Sequence, residues 1–82
     1  MRRLIKVTKK HIKNGIPCVD DACPVALAIM EADKALAIEP LVGPEIIWIC
    51  RKSVMTPQSV YRFVTRFDNG KKVQPFNFYL DY

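Results

Sequence analysis

The stretch CPVALAIM at residues 23–30 decides the fold of this chain, because it predicts a long and mostly apolar helix. Proline is favoured at the first position of a helix, where its missing N–H needs no partner, so the helix begins at Pro24. Asp20 and Asp21 precede it, where the helix dipole favours negative charge. Residues 25–35 are mostly Ala, Leu, Ile and Met. A stripe this wide predicts the central helix of the core.

Upstream of this helix the sequence predicts a strand, a short helix and a loop. Residues 4–7 alternate weakly and suit a first strand. Thr8 is a suitable N-cap for one or two helical turns over residues 9–13, and an Asn-Gly pair then stops the helix. We expect residues 16–22 to form a loop, because a proline and two aspartates in this segment disfavour regular structure.

Downstream, two strands are expected around a Gly-Pro turn. Residues 36–42 predict a short strand that a proline interrupts or ends. Residues 45–52 (EIIWICRK) are rich in β-branched and aromatic residues, and both of their alternating faces are largely apolar. This pattern predicts the central strand of the sheet.

The Thr-Pro pair at residues 56–57 predicts the cap and the first position of a third helix, and the apolar residues of this helix share one face. They are spaced at i, i+3, i+4 and i+7, and they are Val60, Phe63, Val64 and Phe67. Residues 76–80 alternate between apolar and polar side chains, which predicts a half-buried strand. The element order is β-α-α-β-β-α-β. It predicts an α+β fold in which two main helices pack on one face of a small antiparallel or mixed sheet of about four strands.

Length and composition predict one compact domain, residues 1–82. Half of the 82 residues are hydrophobic and about a quarter are charged, which is a globular composition. A chain of this size buries only about 60–65% of its unfolded surface, so we expect it to gain stability as a homo-oligomer. No segment has the length of a membrane helix, and the first ten residues lack the apolar part of a secretory signal. We therefore expect a cytoplasmic protein without a membrane partner.

A net charge of +5 favours anionic partners, namely nucleic acid, nucleotides or an acidic protein surface. Arg62 and Arg66 lie one turn apart on the third predicted helix, and a pair of guanidinium groups can hold a phosphate. Tyr61 and Trp48 would offer stacking surfaces if they were exposed. The structural alternative is a solvated helix face with Trp48 in the core. No helix-turn-helix, zinc-finger or RNA-recognition signature is present.

The cysteines are candidates for a metal site or a nucleophile, and the sequence argues against both. A zinc site would need His11, Cys18, Cys23 and Cys50, but the C-x4-C spacing lacks the second close pair typical of structural zinc. Cys23 adjoins a helix start, which lowers a thiol pKa, but the nearby aspartates raise it, and no orienting third group is evident. We expect no metal, no cofactor and no catalytic residue, with Cys23 as a helix cap.

Three segments resemble a family of small proteins encoded by phages, prophages and actinobacteria. They are VTKKHIKNG (residues 7–15), CPVALAI (residues 23–29) and RFDNGKKVQPFNFYLD (residues 66–81). The resemblance covers about half of the chain and brings no assigned activity with it. It implies a small non-enzymatic effector that binds a host protein or sequesters a small molecule.

These observations lead to one principal hypothesis and two alternatives. The principal hypothesis is a phage-type counter-defence protein that sequesters a nucleotide-like signal or occupies a host protein. A nucleic-acid-binding accessory protein is the first alternative, and an enzyme that depends on Cys23 is the least favoured. The candidate ligand-binding residues are Lys10, His11, Cys23, Pro24, Val25, Trp48, Tyr61, Arg62 and Arg66.

Overall fold

The computed structural model describes residues 2–82, which form three helices and five strands in two antiparallel sheets. The elements are β1 (Arg2–Val7), α1 (Lys9–Asn14), α2 (Pro24–Ala32), β2 (Leu41–Val42), β3 (Ile46–Ile49), β4 (Lys52–Met55), α3 (Gln58–Asp68) and β5 (Phe76–Asp81). One sheet pairs β1 with β5, and the other has the order β2-β3-β4. The predicted α+β class and element order are confirmed, with β4 as a further strand.

Helix α2 lies in the middle of the core, as the apolar stretch predicts. Its first six residues include five that are buried, and these are Pro24, Val25, Ala26, Ala28 and Ile29. The helix contacts β1 of the first sheet and β2 of the second, so it connects the two sheets. Full burial of an aliphatic side chain of this size stabilises a fold by about 1.5–3 kcal/mol. The helix therefore contributes a large share of the core.

Helix α2 ends at Ala32, three residues before the predicted end. Asp33 leaves the helical conformation, with φ −130° and ψ 87°. Its carboxylate accepts a hydrogen bond of 2.7 Å from the Tyr82 hydroxyl and lies 3.9 Å from the Arg3 guanidinium. Burial of the Tyr82 hydroxyl, together with this hydrogen bond, raises the pKa of Tyr82 to about 12. The helix thus ends at this point, and Asp33 makes tertiary contacts with Tyr82 and Arg3 instead of continuing the helix.

The β1–β5 sheet is a ribbon with one buried face. Ile5 is paired in register with Phe78, and both side chains are buried, as are Val7 and Leu80. The alternating positions are exposed or partly exposed. This alternation is the period-2 pattern of a strand with one face on the core.

Helix α3 packs through the predicted stripe. It begins at Gln58 with Pro57 as its N-cap residue, because the Thr56 hydroxyl does not cap the helix but donates a hydrogen bond of 2.9 Å to the carbonyl of Gly43. Val60 and Phe63 are buried, and the other two members of the stripe are partly buried against the same core. The ring of Phe63 lies 4.8 Å from that of Phe76 at the start of β5, centroid to centroid. Aromatic pairs at this distance add about 0.5–1.5 kcal/mol to area burial. This contact fixes α3 on the β1–β5 sheet.

The strands of the middle segment differ from the prediction. Residues 45–52 do not form one strand, because the chain reverses at Cys50–Arg51 and continues as β4. The strand expected over residues 36–42 is reduced to Leu41–Val42, after Pro40. The strands consequently form two sheets instead of one. None of the helices within residues 2–82 has the length and apolar character needed to cross a membrane.

Candidate functional site

The second sheet leaves one apolar side uncovered. Side chains alternate along β3, so Ile47 and Ile49 enter the core while Ile46 and Trp48 point away from it. In the antiparallel register Leu41 lies opposite Trp48, and Met55 lies opposite Ile46. We call the side formed by these exposed residues the apolar face: Leu41, Ile46, Trp48 and Met55. Their exposed fractions are 45%, 50%, 46% and 85%.

A cleft of about 280 Å³ adjoins the apolar face. Residues 35–39 form one wall, and the end of β3 with the following turn forms the other. Trp48 lines the cleft, and so do the charged residues Arg51 and Glu39. The cleft therefore combines an aromatic surface with a guanidinium group that can hold an anion.

The turn beside the cleft has an unusual backbone. Cys50 and Arg51 both have positive φ, 53° and 61°, and they connect the paired residues Ile49 and Lys52. Two-residue hairpins with two positive φ values normally carry Asn-Gly, because a Cβ atom disfavours the left-handed region by about 1–2 kcal/mol per residue. The packing of the hairpin therefore holds Cys50 and Arg51 in a strained conformation at the edge of the cleft.

A second depression of about 250 Å³ lies beside β1 and α2, and it is less suited to an anion. Arg3, Lys6 and Glu31 contribute to its lining. The Arg3 guanidinium donates a hydrogen bond of 3.1 Å to the carbonyl of Ala32, and it also approaches Asp33. Glu31 lines this depression as Glu39 lines the cleft, so one carboxylate opposes a phosphate in each. The cleft beside Trp48 is the better candidate because, of the two, it is the one lined by an aromatic ring.

The start of α2 is closed to a ligand. The Cys23 sulfur accepts a hydrogen bond from the N–H of Ala26 at 3.5 Å, so Cys23 caps the helix as predicted. Cys23, Pro24 and Val25 are all buried. Burial raises the pKa of the Cys23 thiol, and hydrogen bonds from Ala26 and Val25 only partly oppose this rise. Their position leaves these three candidate ligand residues with structural roles.

His11 is the buried polar residue of the core, and its ring is fully engaged. It is 4% exposed. The N–H of Thr8 donates to Nδ1 at 3.0 Å, so Nδ1 carries no hydrogen. Nε2 therefore bears the hydrogen and donates to Oε2 of Glu31 at 2.9 Å. This hydrogen bond is the largest cause of the lowered pKa of Glu31. His11 connects α1 to α2 and does not face a cavity.

The remaining candidates are exposed but scattered. Lys10 lies on α1, and Tyr61, Arg62 and Arg66 lie on the exposed side of α3. None of these four lines the cleft, whereas Trp48 does. The structure therefore does not assemble the nine candidates into one site. Within residues 2–82, no three His, Cys, Asp or Glu side chains are arranged to hold a metal ion.

Sequence reasoning missed Arg51 and most of the apolar face. The two-sided apolar pattern of residues 45–52 predicts burial of both faces, and β3 is indeed the middle strand of its sheet. Only one side of the sheet is covered, however, because the helices pack on that same side. The turn at Cys50–Arg51 was also unpredicted, since neither residue type favours positive φ. Counting the predicted helices would have indicated that this face is exposed, because two helices that pack on one face of the sheet leave none to cover the second face.

Comparison of the chain with protein-family models, with curated proteins and with solved structures yields no match in any of the three.

Proposed function

We propose that this chain is a non-enzymatic binding protein that sequesters a nucleotide-like anion in the cleft beside Trp48. The observation that carries the proposal is the presence of Trp48 and Arg51 in one cleft of about 280 Å³. The sequence resemblance to phage proteins supports a role as a counter-defence effector in the cytoplasm of the infected cell. Capture of a host protein is the related alternative, and the exposed apolar face favours it.

The chemistry of the cleft suits a single nucleotide unit. A base stacked on an exposed aromatic ring gains about 1–3 kcal/mol, and this gain depends little on which base is present. The Arg51 guanidinium can donate two parallel hydrogen bonds to a phosphate. Ligand sites in proteins usually measure about 300–1,000 Å³, so this cleft is near the lower end. We therefore expect it to hold one nucleoside unit.

The environment of the cysteines supports binding over catalysis. Burial raises the pKa of the Cys23 thiol, which reduces the thiolate fraction available as a nucleophile. The only histidine, His11, already bonds Thr8 and Glu31 through its two ring nitrogens. Cys18 and Cys50 are exposed thiols, and His11 does not hydrogen-bond to either. The proposal thus uses no catalytic residue and no cofactor.

The test uses Trp48 as its own reporter, because it is the only tryptophan. Nucleoside mono-, di- and triphosphates and cyclic nucleotides are titrated while the Trp48 emission and the melting temperature are measured. We expect one class of nucleotide to quench the emission and to raise the melting temperature with increasing ligand concentration. An unchanged emission and melting temperature across the whole panel at millimolar ligand would contradict the proposal.

A matched pair of variants localises the site. Arg51→Gln removes the guanidinium from the cleft, and we expect it to weaken nucleotide affinity about tenfold or more. Arg62→Gln removes an exposed arginine of α3 outside the cleft and is expected to leave the affinity unchanged. Equal losses in the two variants would show that general positive charge, and not the cleft, attracts the ligand.

The distribution of charge favours nucleic-acid binding as the second candidate. Every lysine and arginine except Arg3 is exposed, and the net charge is +5. Binding of a labelled oligonucleotide, followed by fluorescence anisotropy, would fall steeply between about 20 and 200 mM salt because phosphate contacts release counterions. Failure to bind at the lower salt concentration would eliminate this candidate.

A further inference from the structure

We infer that the apolar face is the contact surface of a two-fold symmetric dimer, in which the second sheet of one copy packs on the second sheet of another. This inference rests on other observations than those for nucleotide binding, but the two sites share Trp48. A dimer would cover the ring that is proposed to stack a base, so dimerisation and nucleotide binding should compete. The dimer provides a partner for the only side of β3 that the protein leaves uncovered within residues 2–82.

The apolar face exposes a large area. Together with the neighbouring Ile38, which is 67% exposed, the residues of the apolar face leave roughly 600 Å² of side chain in contact with solvent. This area is at the upper end of the apolar patches found on monomers, about 300–600 Å². It approaches the ~800 Å² that each partner contributes to a standard protein interface. The rim of the sheet can supply the difference.

The total exposed surface of the protein is also large for its mass. The protein exposes 5446 Å². A compact monomer of 9.4 kDa is expected to expose about 5,000 Å². The excess, roughly 400 Å², is of the same order as the apolar face itself. Covering this face would bring the exposed surface close to that of a compact protein of the same mass.

The absence of charge from the described outward positions selects a second copy as the occupant. Lys52 is paired with Ile49 and therefore lies on the core side of the sheet, where it also acts on Asp81. The outward positions of the second sheet are Leu41, Ile46, Trp48, Ser53 and Met55, and none of these side chains is charged. A second copy presents the same uncharged surface, so two copies can pack face to face without burying a charge.

An isologous contact also suits the make-up of the face. In a two-fold contact the same patch serves both copies, so it must be complementary to itself. The patch is aromatic and aliphatic, and its outward strand positions carry no charged side chain, so two copies can meet there without repulsion. A large aromatic anchor within a polar rim is typical of the residues that contribute most to binding. Trp48 occupies that position in each copy.

The first measurement is the mass in solution over a range of concentrations. Sedimentation of the full chain from about 1 µM to 1 mM should show a shift from 9.4 kDa towards twice that mass, with a dissociation constant in the micromolar range. The emission of Trp48 should shift to longer wavelength on dilution, because its indole becomes exposed. A chain that stays at 9.4 kDa over the whole range would overturn the inference.

A matched pair of isoleucines tests the location of the contact. Ile46 and Ile16 are 50% and 51% exposed, but Ile16 lies in the loop before α2 and outside the apolar face. Ile46→Lys should raise the dissociation constant at least tenfold, whereas Ile16→Lys should leave it unchanged. Circular dichroism checks that both variants fold. If folded Ile46→Lys still dimerised as tightly as the original chain, the contact would lie elsewhere and the inference would be wrong.

The dimer and the proposed function can fail separately. Nucleotide binding by a chain that remained monomeric would leave the proposed function intact while overturning the dimer.

Discussion

His11 shows how one buried side chain can connect two elements. Its Nδ1 accepts the N–H of Thr8, the residue that caps α1, and its Nε2 donates to the Glu31 carboxylate on α2. Glutamate or glutamine usually accepts this capping N–H from the third helical position, and here an imidazole does so. Short-range sequence reasoning predicted the cap at Thr8 but not the bond to Glu31, because Glu31 lies twenty residues beyond His11.

We predict that His11→Ala lowers the free energy of unfolding by about 2–3 kcal/mol, because it removes a buried ring and a cap partner together. Urea denaturation measures the change. Lys13→Ala, an exposed substitution on the same helix, should change the free energy of unfolding by less than about 0.5 kcal/mol. Similar effects of the two substitutions would mean that the His11 bonds contribute little.

At the scale of elements, the β3–β4 hairpin is the part of the fold that sequence reasoning missed. Helices α2 and α3 were predictable, because a proline or a cap precedes each one and a helical apolar pattern follows. The hairpin has no Asn, Asp or Gly at its turn, so nothing local marks a reversal at Cys50–Arg51. The turn is instead determined by contacts of the flanking strands, namely the pairing of β3 with β4 and the burial of Ile47 and Ile49.

We predict that Cys50→Asn/Arg51→Gly stabilises the protein by about 1 kcal/mol. Asparagine and glycine tolerate the positive φ values at these positions, whereas the present residues are strained there. Ser53→Gly is the control, since glycine in a strand should destabilise by about 0.5–1 kcal/mol. Thermal unfolding monitored by circular dichroism compares the variants. A lower melting temperature for the Asn-Gly hairpin would show that the turn is not strained.

At the scale of the whole molecule, composition indicated a small basic domain, but it could not show how its strands divide. The split into two sheets depends on contacts of α2 with both β1 and β2, which link residues far apart in the sequence. The same division leaves the apolar face uncovered. Of the candidate site, the sequence indicated the cationic character and offered Trp48 as a stacking surface only on the condition that it is exposed. It did not indicate the cleft that joins Trp48 to Arg51.

We predict that the protein loses stability in acid through Glu31 and Asp33. Hydrogen bonds from His11 and Tyr82 hold the pKa values of these carboxyl groups below their usual 4.5 and 3.8. A carboxyl group with a lowered folded-state pKa stabilises the fold fully above its usual pKa, and this contribution is lost as the pH falls through the folded-state value. Urea denaturation between about pH 3 and pH 7 should show this decline.

The variants Glu31→Gln and Asp33→Asn isolate these two groups. Each substitution removes one titrating carboxyl group, so the acid dependence of the free energy of unfolding should become shallower in each and shallowest in the double variant. Glu39→Gln, an exposed carboxylate of the loop before β2, serves as the control and should leave the dependence unchanged. An unaltered slope in the double variant would assign the acid sensitivity to other groups.

The pairing of β1 with β5 has a consequence for the order of folding. β1 is synthesised before its partner β5, so Ile5 meets Phe78 only after the intervening chain has been made. The hairpin and the helices close through local contacts, whereas this ribbon must bring distant segments together, which slows folding. Until then the apolar side chains of β1 lack their final cover. We therefore expect nascent chains to bind chaperones and to be prone to self-association until β1 has paired with β5.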